Sequence, residues 1–339
     1  MRGAAGSGLA RGLRTGWYLT KVIVPLSAAV AILDWAGVLG RIGRLLASLM
    51  ALFGLPGEAA LPIVSGFFAG VYGGVAAASA IPLTKAQMTV LAIIVLVAHN
   101  PVVESAVQSR SGAPGWRITT VRLVVAAVLG AAAWQGLRHG DQGPVLRSHA
   151  PVSDGSESAL APPSQGLRGH AGATVPDPAG HAKPSFEAFA SAWALGVGRL
   201  LLKIYAIVAG LMIAMEIARA HGLFDALQRP LRPLMRALGL SERVTFLWLT
   251  ATFLGVGYGA GLILAESAIP GRFEDGDLRD LHVSIGISHA LVEDTLLFMA
   301  IGANPLWVLL PRPLAAAVAV RLARPFVPSK PIREAPWLT

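Results

Sequence analysis

Three ionisable residues, His289, Glu293 and Asp294, stand together within one apolar stretch of this sequence. His289 and Glu293 are four residues apart, which places them on one face of a helix that we predict over 278–301. An imidazole and a carboxylate one turn apart can relay a proton, hold a metal ion or bind a polar ligand. Two such ligands without an H-E-x-x-H pattern do not specify a metal site, so a metal remains unassigned. Ionisable groups inside an apolar helix are costly, which favours a functional site over a structural polar network.

An equivalent group occurs in the first half of the chain, where His99, Asn100, Pro101 and Glu104 follow a similar apolar run. Pro101 either kinks this helix or starts a new helix that Asn100 caps. The offset of five residues between the histidine and the acid does not align the two side chains on one face of an unbroken helix. We interpret both groups as substrate-binding.

The sequence Ser-Ala-Ile-Pro ends a Gly-rich apolar segment in each half, from Ser79 to Pro82 and from Ser267 to Pro270. Proline removes a backbone donor, and carbonyl groups freed inside a membrane need partners or a cavity. Each motif is therefore either a broken helix end that faces substrate or close helix packing followed by an ordinary loop. For the neighbouring glycines we favour packing. Glu266 either binds a cation or proton or reaches the membrane surface.

These considerations give a set of predicted substrate-binding residues. They are Ser79, Pro82, His99, Asn100, Glu104, Glu266, Ser267, Pro270, His289, Glu293 and Asp294.

The composition indicates that a membrane surrounds these residues. Of 339 residues, 54% are hydrophobic and 14% are charged, and the mean hydropathy is +0.60. A soluble domain carries about 25% charged residues, so half of the usual polar coat is missing. The net charge of +9 arises largely from cations that flank apolar runs, Arg117 and Arg122 among them. That placement indicates anchoring to lipid headgroups, and nucleic acid is not an expected partner.

Motifs for several enzyme classes are absent from the sequence. The chain has no cysteine, which excludes disulfides, thiolate metal sites and cysteine nucleophiles. It has no phosphate-binding loop of the G-x-x-x-x-G-K-[ST] type and no G-x-S-x-G elbow. We therefore predict neither an enzyme nor a cofactor.

Eight apolar segments are long enough to cross a membrane, which takes about 20 helical residues. They lie near 16–35, 59–81, 86–107, 118–137, 189–218, 244–268, 278–301 and 306–322. The basic N-terminal region leads into the first span, which we predict to be an uncleaved helix. The more basic stretches 38–53 and 223–238 predict a short interfacial or re-entrant helix in each half, and Pro230 and Pro233 predict a bend in the second. The predicted fold class is an all-α integral membrane protein.

The same order of residues in the two halves indicates an internal repeat. Lys21 and Asp34 are thirteen residues apart, as are Lys203 and Glu216, and a Tyr-Gly pair, Ser-Ala-Ile-Pro and a His-acid group follow in both halves. The Pro-, Gly- and Ser-rich segment between the halves predicts a flexible extramembrane linker. The predicted domains are a first membrane repeat (1–139), the linker (140–184), a second membrane repeat (185–325) and a C-terminal tail (326–339).

Residues 64–111 and 253–303 resemble the nucleoside-recognition, or Gate, domain of bacterial membrane proteins. The resemblance is carried by the Gly-rich helix that ends in Ser-Ala-Ile-Pro, by His99-Asn-Pro-Val-Val-Glu104 and by His289-Ala-Leu-Val-Glu-Asp294. Two such regions in one chain resemble spore maturation proteins A and B fused together. The domain is also similar to the membrane part of ferrous iron transport protein B. The GTPase domain and gate cysteines of that transporter have no counterpart here, which argues against iron transport by its mechanism.

The resemblance and the repeat predict a multi-pass transporter or permease in the bacterial inner membrane. It would move a small polar or ionic solute, with coupling to protons or another cation as an option. The alternatives are a non-transporting membrane scaffold of the spore-maturation type and a membrane enzyme that acts on a lipid-linked substrate. The expected partners are membrane lipids, a small-molecule or ion substrate, and either a second copy of the chain or a membrane partner protein.

Overall fold

The computed structural model describes residues 2–140, 185–269 and 271–328, and these ranges are helical without any β-strand. Nearly all of the predicted linker lies outside the described residues, as do Pro270 and the tail from residue 329 onward. The all-α fold class that the sequence predicts is confirmed.

The first half of the chain forms six α-helices. They are α1 (Arg2–Trp35), α2 (Val38–Ala51), α3 (Ala60–Ala78), α4 (Lys85–Ala98), α5 (Pro101–Arg110) and α6 (Gly115–Leu137). A capping box starts α4, because the Gln87 backbone N–H donates to Thr84 Oγ1 at 3.1 Å and the Thr84 N–H donates to Gln87 Oε1 at 3.1 Å.

The described part of the second half repeats this order with eight helices. Its helices are α7 (Phe186–Ala220), α8 (Leu223–Gln228), α9 (Arg232–Leu238), α10 (Thr245–Ser267), α11 (Asp277–Ser288), α12 (Leu291–Ala300), α13 (Pro305–Leu309) and α14 (Pro311–Ala323). In chain order, α7 corresponds to α1, the pair α8 and α9 to α2, α10 to α3, α11 to α4, α12 to α5 and α14 to α6. The interruption between α8 and α9 contains Pro230, in agreement with the predicted bend.

Among the described residues, seven helical segments are long and apolar enough to cross a membrane. They are Ala5–Trp35, Gly57–Ala78, Lys85–Arg110, Gly115–Gly140, Phe186–Ala220, Asp277–Ala300 and Pro305–Ala323. The eighth predicted span coincides with α10, a 23-residue helix that is not one of these seven. The protein is thus a multi-pass helical membrane protein.

Two of these spans are pairs of helices and not single helices. The prediction of an unbroken helix over 278–301 is wrong, because α11 ends before His289 and α12 starts after Ala290. The corresponding span of the first half is interrupted in the same way between α4 and α5. Pro101 therefore starts a new helix, although the side chain of Asn100 does not cap it.

The two long helices α1 and α7 pack with their backbones close together. A Cβ added at Gly8 would lie 2.6 Å from Ile213 Cα, and one added at Gly12 would lie 2.6 Å from Ala209 Cα. Small residues four apart allow this approach and maximise van der Waals contact where lipid removes the hydrophobic driving force. The first helix of each repeat thereby ties the two repeats together.

Large apolar side chains cover the outer faces of the helices. Phe68, Leu202, Leu314 and Leu322 lie on spanning helices and are among the most exposed. Such side chains on the outside of spanning helices contact lipid, which is the environment that the composition predicts.

We predict that Gly12→Leu destabilises the protein by about 1–3 kcal/mol, because the larger side chain cannot enter the contact with α7 without moving backbone. Thermal unfolding in detergent, followed by tryptophan fluorescence, measures the effect. Gly210→Leu is the matched control, since a Cβ at Gly210 meets nothing within 4 Å. Equal unfolding temperatures for the two variants would contradict the packing described here.

Candidate functional site

The middle of α3 and of α10 is interrupted at a glycine. Gly70 has φ 70° and ψ −169°, and Gly255 has φ 76° and ψ 168°. This region of backbone conformation is essentially restricted to glycine. The glycines that we assigned to helix packing therefore include the two residues that break these helices, and the break lies well before the Ser-Ala-Ile-Pro motifs.

A second interruption separates α4 from α5 and α11 from α12. His99 and His289 have extended backbone, with φ −65° and ψ 158° and with φ −77° and ψ 166°. The next residues are left-handed, with φ 47° at Asn100 and φ 45° at Ala290. Asparagine tolerates this conformation, whereas for alanine it costs roughly 1–2 kcal/mol. The surrounding structure must therefore hold Ala290 in place.

The two interruptions of each repeat lie against one another. The Asn100 N–H donates to Gly66 O at 3.2 Å, and the Ala290 N–H donates to Ala251 O at 3.1 Å. A Cβ added at Gly70 would lie 2.8 Å from Nδ2 of Asn100. Four helix breaks are therefore grouped as two equivalent pairs in the interior of the protein.

Two buried arginines satisfy the carbonyl groups that the breaks leave free. Arg122 on α6 donates through Nε to Val97 O at 3.1 Å and through Nη2 to His99 O at 2.9 Å. Arg312 on α14 donates through Nε to Ile287 O at 3.1 Å and through Nη2 to His289 O at 2.7 Å. The bonds from each arginine to the two backbone carbonyls are therefore equivalent in the two repeats.

The assignment of Arg122 to headgroup anchoring is wrong, because its exposed fraction is 1%. Arg312 is 0% exposed and is not one of the predicted site residues. One signal could have found both residues: each arginine follows the histidine of its own repeat by 23 positions. An identical spacing in both halves indicates a shared structural role for the pair.

The two histidines meet at the centre of the protein. His99 Nε2 lies 3.1 Å from His289 Nε2, and both side chains are buried. Each Nδ1 faces a carbonyl of its own helix, Leu96 O at 3.0 Å and Ile285 O at 2.6 Å. The structure therefore brings together the histidines of both predicted substrate-binding groups, which are 190 residues apart in sequence.

The hydrogen-bond partners restrict the protonation of this pair. A carbonyl oxygen can only accept, so Nδ1 of both rings must carry a proton, and both Nε2 atoms then have lone pairs that point at each other. Two lone pairs 3.1 Å apart repel unless a cation lies between them. A shared proton or a metal ion would satisfy this requirement.

The acids of the two repeats surround the histidine pair unequally. Glu104 Oε1 is 3.7 Å from both His99 Nε2 and His289 Nε2, and its Oε2 is 2.7 Å from Arg122 Nη1. Asp294 is 3.7 Å from its own arginine, Arg312, and its buried Oδ2 makes no hydrogen bond. Asp294 therefore has an acceptor atom available for another ligand.

Glu293 connects the two repeats by a different contact. It accepts a hydrogen bond from the hydroxyl group of Tyr72 on α3. Tyr72 belongs to the Tyr-Gly pair of the first half and is not one of the predicted site residues. This bond joins the broken α3 of the first repeat to α12 of the second.

The remaining predicted site residues lie away from this centre. The hydroxyl of Ser79 donates to Ala76 O at 2.8 Å and that of Ser267 donates to Leu264 O at 3.0 Å, each within its own helix end. Ser79 is nine residues beyond Gly70, which is about 13 Å along a helix. Glu266 pairs with Arg272 at 3.0 Å. Pro82 is exposed, and Pro270 lies outside the described residues.

The described residues thus form a multi-pass helical membrane protein in which each half supplies an interrupted helix with buried ionisable residues. Comparison with known proteins gives the family. Residues 17–108 match the family model of the Gate domain, whose description is nucleoside recognition. The chain is 30% identical over 320 residues to the uncharacterized membrane protein YvoD of Bacillus subtilis (strain 168), an alignment that covers 94% of this chain and 92% of YvoD. The protein therefore belongs to the family of Gate-domain membrane proteins that includes YvoD. No solved structure matches it.

We predict that Arg122→Met destabilises the protein by about 3–5 kcal/mol, because it leaves the carboxylate of Glu104 buried without its partner and two carbonyls without donors. Thermal unfolding in detergent measures the loss.

The matched control for this experiment is Arg117→Met, on the same helix. Arg117 donates to Phe326 O at 3.2 Å in an exposed position, so its loss should cost no more than about 1 kcal/mol. Similar losses for both variants would contradict a special role for the buried arginine.

Proposed function

We propose that this protein is a secondary transporter that moves a small polar or ionic solute across the bacterial inner membrane. In this proposal residues 1–139 and 185–325 are the two membrane repeats, and the segment 140–184 links them outside the membrane. The observation that carries the proposal is the contact between His99 and His289, where both repeats place an interrupted helix and a buried ionisable group.

The position of the contact supports a transport site. His99 lies near the middle of the span Lys85–Arg110, and His289 lies near the middle of the span Asp277–Ala300. Substrate sites of transporters built from repeats lie at this depth, at the repeat interface and between interrupted helices. Interrupted backbone is tolerated there only where protein buries it or where it lines a cavity.

The free-energy cost of the buried charges and helix breaks at the centre also favours transport over a scaffold. A scaffold needs only helix packing, which α1 and α7 already supply through Gly8 and Gly12. The centre instead contains buried acids, arginines and histidines, together with four helix breaks. Buried charges and broken helices cost free energy relative to an unbroken apolar core, so their presence in both repeats favours a function at the centre.

Contacts across the centre supply a way to couple the two repeats. The Tyr72–Glu293 hydrogen bond and the His99–His289 contact both cross between the repeats, as do the Ser111–His282 hydrogen bond and the packing of α6 against α11. We infer that α1 and α7 form the fixed part, while the interrupted helices open toward either side of the membrane. Half-helices joined at a glycine such as Gly70 can reorient by changes of φ and ψ at that one residue.

The absence of native cysteine allows a direct test of this proposal. Ser288→Cys places a thiol beside His289 at a position that is 1% exposed. We expect a membrane-impermeant maleimide to label it both in right-side-out and in inside-out vesicles, because a transport site opens to each side in turn.

The control is Ser191→Cys, on an exposed part of α7, which should react from one side only. Labelling of the Ser288→Cys variant from neither side would favour the scaffold. Labelling from a single side would indicate a one-sided cavity and would equally contradict transport.

A further inference from the structure

We propose that His99, His289 and Glu104, with Asp294 beside them, bind a divalent first-row transition metal ion. The distances among these side chains support the metal site independently of the proposed function. The further statement that this ion is the transported solute rests on the proposed function.

Distances among the donor atoms fit a metal ion without rearrangement. Nε2 of His99, Nε2 of His289 and Oε1 of Glu104 form a triangle with sides of 3.1, 3.7 and 3.7 Å. The point equidistant from the three atoms lies about 2.0 Å from each, which is the distance at which Zn²⁺ binds imidazole nitrogen and carboxylate oxygen. An ion at this point would sit between the two facing lone pairs.

The histidine rings are oriented as metal ligands usually are. Nδ1 of His99 donates to Leu96 O and Nδ1 of His289 donates to Ile285 O, so each ring offers only its Nε2. Hydrogen bonds of this kind to backbone carbonyls fix the tautomer and the orientation of metal-binding histidines. Arg122 and Arg312 hold the carbonyls of the two histidines themselves, which adds a second level of support.

Asp294 supplies a fourth ligand position. One of its carboxylate oxygens and one ring nitrogen of each histidine all lie within 4.8 Å of one another. At this spacing one metal ion could contact all three side chains. Its Oδ2 is buried without a hydrogen bond. A small rotation of the side chain toward the ion would complete a four-coordinate site with two nitrogens and two oxygens.

The charge of the centre also favours a cation. The described acids at the centre are Glu104, Glu293 and Asp294, and the arginines are Arg122 and Arg312. With the acids ionised and the imidazoles neutral, one negative charge remains in a region with little solvent. An unbalanced buried charge is costly, and a bound cation relieves this cost.

The donor types select the class of metal. Imidazole and carboxylate together suit Zn²⁺, Fe²⁺, Co²⁺ and their neighbours, whereas Mg²⁺ and Ca²⁺ prefer oxygen ligands alone. No thiolate is available in a chain without cysteine, so Cu⁺ is not favoured. A proton shared between the two Nε2 atoms is the competing occupant, and the experiment must separate the two.

The test is equilibrium dialysis of purified, chelator-stripped protein in detergent against Co²⁺, Zn²⁺ or Mg²⁺, with bound metal counted by mass spectrometry. We expect one Co²⁺ or Zn²⁺ ion per chain, no retained Mg²⁺, and a visible absorption band from Co²⁺ bound to nitrogen and oxygen. His99→Gln and His289→Gln should each weaken binding by about 100-fold or more.

His282→Gln is the matched control, because it removes a different buried histidine, which lies on α11 and contacts Ser111 Oγ at 2.6 Å. This variant should bind Co²⁺ as the wild type does. Thermal unfolding shows whether each variant is folded, and Glu104→Gln gives a second, milder change if a histidine variant does not fold. Absence of Co²⁺ and Zn²⁺ from the folded wild type, or equal loss of binding in His282→Gln, would overturn the proposal.

Transport of the ion is measured separately, in proteoliposomes that contain a Zn²⁺-sensitive dye. Zn²⁺ entry that His289→Gln abolishes would support the ion as the solute. Binding without entry would keep the metal site and contradict Zn²⁺ as the solute. Two-sided labelling of Ser288→Cys without metal binding would overturn the metal site, leave transport standing and assign a shared proton to the histidine pair.

Discussion

A helix that is interrupted inside a membrane leaves backbone carbonyls without donors, and no water is present to replace them. Arg122 and Arg312 supply donors at the interruptions between α4 and α5 and between α11 and α12, since each guanidinium group bonds two carbonyls of its own repeat. The same bonds fix the backbone of His99 and His289. The direction of each Nε2, and therefore the contact between the repeats, depends on the two buried arginines.

The repeats share their backbone geometry and differ in their chemistry. Glu104 is held closely by Arg122 at 2.7 Å, while Asp294 lies 3.7 Å from Arg312 and keeps an oxygen without a hydrogen bond. Glu104 is thus held in place by its arginine, whereas Asp294 has a carboxylate oxygen available to bind a ligand. The equivalent backbone of the two halves gives the centre a symmetric framework, and the different acids would give a bound ligand two chemically different sides.

Sequence reasoning predicted the helical membrane fold, the order of the repeats and the two His-acid groups, because apolar length and repeated residue order are visible in one dimension. It did not predict the break at His289, because the residue after Ala290 is a leucine, whereas Pro101 marks the start of a new helix in the first half. A left-handed alanine is held by tertiary contacts, including its N–H bond to Ala251 O, which a local pattern does not contain. The burial of Arg122 was missed for the same reason, as a cation near a helix end usually reaches the headgroups.

The central claim is that one residue from each repeat contributes an imidazole to a single ion. X-ray absorption at the zinc edge of the Zn²⁺-loaded protein tests this claim most directly. The account predicts two imidazole nitrogens and one or two carboxylate oxygens at about 2.0–2.1 Å, with one imidazole lost in His99→Gln and one in His289→Gln. A spectrum with only oxygen ligands, or one that neither substitution changes, would contradict it.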